Sequence, residues 1–88
     1  MIIKKKLAKE MIYNLRGKVF GATFVKKDGS IRNINCRTGV AKYLKGGEKR
    51  YDYDNLICVY DMQIGDYRNI NIDTLMQLRT GGNTYYVE

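Results

Sequence analysis

The residues best suited to chemistry are cations set among tyrosines. Lys42, Tyr43 and Lys45 sit in a short helical pattern, and Lys49, Arg50, Tyr51 and Tyr53 follow at once in a charged loop that has no apolar periodicity. Cations of this density meet phosphates, and the rings can stack on exposed bases. Tyrosine serves equally well at a protein interface, and two of these rings could instead close the edge of a small core. Two arginines stand in a repeated tetrapeptide, RNIN, at Arg32–Asn35 and again at Arg68–Asn71. Each copy follows a turn cue, Asp28-Gly29 or Gly65-Asp66. An arginine that opens a strand lies towards one end of a sheet, where it reaches water and can grip a phosphate with two parallel hydrogen bonds. Its alternative is to pair with a nearby carboxylate, Asp61 or Asp73. Lys26 and Lys27 in the first turn and Arg37 beyond the first RNIN complete the candidate binding set for nucleic acid or another partner.

Charge points the same way. The 88 residues carry a net charge of +7, with +11 in residues 1–50 and −4 in residues 51–88. Such asymmetry implies one basic surface and a polyanionic partner, either nucleic acid (DNA or RNA) or an acidic protein face. Plain lysine-rich solvated faces would give the same totals.

Catalysis is not expected. The chain has no histidine, the commonest general base. It has no glycine-rich phosphate loop of the P-loop type. Asp61, Asp66 and Asp73 lie near one another in sequence, but Asp66 suits turn chemistry and Asp73 suits a cap at a strand end. Two lone cysteines, Cys36 and Cys58, do not make a structural zinc site, and they read as buried thiols within strands rather than as a disulfide. Neither a catalytic residue, a metal nor a cofactor is expected.

The elements that must position these residues are mostly strands. In YRNINI, Arg68, Ile70 and Ile72 share one face while Tyr67, Asn69 and Asn71 share the other. Phe20, Ala22 and Phe24 alternate in the same way, with Gly21 marking a bulge or bend. Val59 and Leu78 belong to further strands, and Phe20, Phe24, Val59, Ile70, Ile72 and Leu78 form the expected core. Strands are expected at 18–27, 31–36, 56–62, 67–72, 75–80 and 84–87, with Tyr85 or Tyr86 covering the core. Residues 2–15 read as a basic amphipathic helix whose stripe is Ile3, Leu7, Met11 and Leu15, with Gly17 as its C-terminal cap. Residues 38–45 read as a short helix. No apolar run approaches the roughly 20 residues that span a bilayer, and MIIKKK lacks the apolar centre of a signal peptide.

This pattern resembles the small SH3-type barrel of WYL domains. VYDMQIGDYRNINIDTLMQL matches their aliphatic strand, turn and R-x-apolar-x-apolar-Asp strand end. With FVKKDGSIRNINCRTGVAKYLKGG, it is similar to a family of small WYL-like proteins of tailed bacteriophages, described as Sm-like or SH3-like barrels without assigned activity. The resemblance covers about residues 19–80. It departs after Asp73, where Thr74 replaces the usual arginine, so no ligand role transfers there; Arg68 matches the first arginine of the pattern.

The fold expected is mainly β: a five- to six-stranded SH3-like barrel at 18–88, an N-terminal helix at 1–17 packed on it, and a short helix in the central loop. The function expected is that of a non-enzymatic phage accessory protein that binds nucleic acid, in the cytoplasm of an infected bacterial host. The alternatives are a phage protein that binds and modulates a host polymerase, nuclease or defence factor, and a WYL-like small-ligand sensor. No proline guards the strand edges, and a homodimer is one way to cover them. A membrane partner is not expected.

Overall fold

Strand alternation decides most of the architecture. A computed structural model describes residues 1–39 and 55–88. In chain order the elements are β1 (Ile2–Ile3), α1 (Lys5–Asn14), β2 (Phe20–Val25), β3 (Ile31–Arg37), β4 (Leu56–Asp61), β5 (Asp66–Asn71), a 3-10 turn (Ile72–Thr74), β6 (Leu75–Thr80) and β7 (Asn83–Val87). The described strands form one seven-stranded sheet in the order β1-β7-β6-β2-β3-β4-β5. Only the β1–β7 pairing is parallel; the others are antiparallel. The expected short helix at 38–45 lies almost wholly outside the described residues.

The core follows the pleat. Phe20, Ala22, Phe24, Ile34, Cys36, Ile57, Val59, Ile70, Ile72, Leu75 and Leu78 are all buried. All six residues expected in the core are among them. The register agrees, since Ala22 lies opposite Ile34 and Ile57 opposite Ile70, so paired apolar residues share the inner face. Tyr85 packs against this core, whereas Tyr86 is exposed. Cys36 is buried and free and Cys58 is half-buried and free.

The N-terminus differs from expectation. Ile2 and Ile3 are extended and pair with Tyr86 and Val87 rather than starting the helix. The helix begins at Lys5, and its buried residues are Ala8 and Ile12, with Met11 and Leu15 packed alongside. Leu7 is exposed. Residues 8, 11, 12 and 15 follow the i, i+3, i+4, i+7 rule of a core-facing helix, and Leu7 sits off that stripe. Gly17, at φ 88, leads the chain out of the helix as a C-terminal glycine does. The helix lies against the 3-10 turn.

Two other local expectations change. Gly21 is paired regularly with Asn35 and Arg79, and the irregularity falls further along, between Thr23 and Phe24. There Thr23 faces Gln77 and Phe24 faces Leu75, which leaves Met76 as the extra residue of a bulge. The cap before the 3-10 turn is Asn71 rather than Asp73: its Oδ1 accepts the Asp73 N–H at 2.9 Å. Among the described residues no helix is long and apolar enough to cross a membrane.

Candidate functional site

The β2–β3 hairpin builds one wall of the site. Its turn is closed by the Lys26 N–H donating to the Ser30 carbonyl at 2.8 Å and the Gly29 N–H donating to the Lys26 carbonyl at 2.9 Å. Gly29 has φ 88, which a glycine adopts freely. Asp28 Oδ1 accepts the Ser30 hydroxyl at 2.6 Å and the Ser30 N–H at 2.9 Å. These bonds, hydroxyl first, hold the Asp28 carboxyl below its ordinary value, and the charges of Lys26 and Arg32 add to the effect. Lys26 Nζ stands 3.8 Å from Asp28. Arg32 lies opposite Phe24, so it shares the inward-turned face at the turn end of the hairpin.

The other wall is β5, an edge of the sheet. Arg68 lies opposite Val59 and therefore turns inward. Its Nε donates to Asp61 Oδ2 at 2.8 Å, and Asp61 is 1% exposed. The other carboxylate oxygen accepts the Gln63 N–H at 2.9 Å. The carboxylate alternative for Arg68 is thus realised with Asp61.

Between these walls lies a cleft of about 460 Å³. Lys26, Lys27, Arg32 and Arg68 line it, together with Phe24, Val25, Leu56, Thr74 and the β5 residues Tyr67, Asn69 and Asn71. Tyr67 is braced by Tyr60 in an edge-to-face contact with ring centroids 5.3 Å apart. Four of the expected binding residues therefore converge on one place. Arg37 does not join them: it is half-buried at the end of β3, opposite Tyr60, and its Nε is buried without a hydrogen-bond partner. Lys42, Tyr43, Lys45, Lys49, Arg50, Tyr51 and Tyr53 lie outside the described residues.

Comparison with known proteins agrees with this barrel. Residues 8–76 match the family model of WYL_2, described as an Sm-like SH3 β-barrel fold. The chain belongs to the WYL_2 family. No curated protein and no solved structure matches it. In this WYL_2 barrel, the residues that sequence reasoning left out of the site are Tyr67, Asn69 and Asn71. Their signal was the polar face of YRNINI, which alternation had already set apart from the core. Chemically, the cleft offers cations, amides and the Tyr67 ring over an apolar floor that includes Phe24, a set suited to holding an anion. Among the described residues no three cysteine, aspartate or glutamate side chains gather as a metal site would require.

Proposed function

We propose that this WYL_2 domain is a non-enzymatic nucleic-acid-binding protein, and that the cleft between the β2–β3 hairpin and β5 holds the phosphate backbone. The observation that carries the reading is the convergence of Lys26, Lys27, Arg32 and Arg68 on one cleft from two separate hairpins. Their cations outnumber the nearby carboxylates of Asp28 and Asp61. Tyr67 adds a ring beside them, which suits a base stacked next to a gripped phosphate. The net charge of +7 supports a polyanionic partner. The resemblance of residues 19–80 to bacteriophage proteins supports an accessory role inside an infected bacterial cell.

A second reading has one observation in its favour. The cleft volume falls within the roughly 300–1,000 Å³ of small-ligand sites, which suits a small anionic ligand as in a sensor domain. Binding of single- and double-stranded DNA and RNA at two salt concentrations separates the readings. Each neutralised phosphate releases counterions, so affinity for the preferred nucleic acid falls at least tenfold between roughly 50 and 200 mM salt if about three phosphates are contacted. A double variant, Lys27→Ala with Arg32→Ala, flattens that slope and leaves the melting temperature nearly unchanged. Binding of none of the four at low salt rejects the nucleic-acid reading. Recovery of one stoichiometric host protein from nuclease-treated lysate then favours a protein partner.

A further inference from the structure

A second groove, of about 390 Å³, lies at the opposite end of β2 from the basic cleft. It is bordered by Val19–Gly21, Asn35 and the turn from Arg79 to Thr84. On β2 only Ala22 and Thr23 lie between Gly21 of the groove and Phe24 of the cleft, a span of about 10 Å.

Arg79 is its centre. One nitrogen, Nη1, is fixed by neutral acceptors: it donates to Thr23 Oγ1 at 2.7 Å and to Gln77 Oε1 at 3.2 Å. Thr23 in turn donates to Asn33 Oδ1. The rest of the guanidinium lies flat over Gly21. A Cβ at that position would stand 2.8 Å from Nε and 3.0 Å from Nη2. A glycine inside a strand weakens it, so this glycine is explained by the room it leaves for the arginine. The ion pairs among the described residues join Lys4 to Glu88, Lys26 to Asp28 and Arg68 to Asp61; none reaches Arg79. A half-buried cation is therefore oriented by its neighbours through Nη1, while its Nε–Nη2 edge has no acceptor among the described residues. That edge is the one through which arginine grips an oxyanion with two parallel bonds.

We propose that this groove binds a phosphate group, with the Nε–Nη2 edge of Arg79 as its bidentate donor. Phosphate fits better than carboxylate for a countable reason. The fork occupies both oxygens of a carboxylate, whereas a phosphate keeps further oxygens for the Asn35 amide and the Thr84 hydroxyl, which the strand register sets on the same face as Arg79. The phosphate belongs either to a nucleic-acid backbone or to a small phosphorylated compound. The proposal is independent of the basic cleft, since no residue is shared between the two places.

The test is an NMR titration read at the arginine side-chain Nε–H signals near pH 6, with Arg79→Lys assigning the signal by its loss. Three probes are added separately at matched ionic strength: inorganic phosphate, acetate and a short oligothymidylate. The expected result is a saturable shift of the Arg79 signal with phosphate or with the oligonucleotide, and a much smaller one with acetate. A response to inorganic phosphate alone indicates a small phosphorylated compound, and a response to the oligonucleotide indicates a backbone phosphate. The Gly81 and Gly82 amides report affinity in variants. Arg79→Lys keeps the charge but loses the fork, so affinity falls about tenfold or more. Gly21→Ala displaces the guanidinium and weakens binding in the same way, with Arg79 itself intact. Two outcomes overturn the proposal: no saturable shift with either phosphate probe, or acetate acting as strongly as phosphate. Failure of the cleft reading looks different, with the amides of Lys26, Lys27 and Arg32 unmoved by the oligonucleotide while Arg79 responds.

Discussion

Asp61 is a buried carboxylate whose partner also lines the binding cleft. Arg68 holds it through Nε, and the Gln63 N–H takes its other oxygen. Removing one partner of a buried pair leaves an uncompensated charge, which costs about 3–5 kcal/mol. Arg68→Ala should therefore lower the urea midpoint strongly. Arg32→Ala removes a cation with no ion pair among the described residues and should change stability by only about 0.5 kcal/mol. Equal effects of the two variants would contradict the pairing. Cys36, fully buried beside Asp61, gives a pH-dependent prediction. Burial first and the Asp61 charge second push its thiol up from 9.0 to about 12. The unfolded thiol ionises first as pH rises, so its contribution is complete below pH 9 and is lost between pH 9 and 12. The loss runs at about 1.4 kcal/mol per pH unit. Urea melts across that window should fall more steeply for the native chain than for Cys36→Ala. Parallel curves would contradict it.

At the scale of elements, α1 gives the sharpest contrast. Ile12 is fully buried and Leu7 is 45% exposed. Ile12→Ala should cost about 2–5 kcal/mol and Leu7→Ala no more than about 0.5 kcal/mol, read from denaturant melts. The opposite ranking would restore the stripe through Leu7. The strands were legible because alternation is a local signal: Phe20, Phe24, Val59, Ile70, Ile72 and Leu78 each announce a face. The helix face was less so. The every-fourth stripe of Ile3, Leu7, Met11 and Leu15 competed with Ala8, Met11, Ile12 and Leu15, and alanine weighs little in a hydrophobic count. The pairing of Ile2–Ile3 with Tyr86–Val87 joins the two ends of the chain, and no local pattern encodes such a partner. The spacing role of Gly21 was also hidden, since it depends on Arg79 reaching across from β6.

For the whole molecule, topology creates the site. Lys26, Lys27 and Arg32 come from the first RNIN hairpin and Arg68 from the second. The sequence marked both arginines, but only the curl of the sheet places them around one cleft, with β5 as the wall that faces the first hairpin. The polar residues Tyr67, Asn69 and Asn71 join the site for the same reason. Backbone-amide NMR during titration with the tightest-binding oligonucleotide tests this arrangement most directly. The account predicts that the largest shifts fall on Lys26, Lys27, Arg32, Tyr67, Asn69 and Asn71, and that they shrink together as salt rises. Shifts confined to the lysines of α1 or to residues 40–54, with the cleft silent, would contradict it.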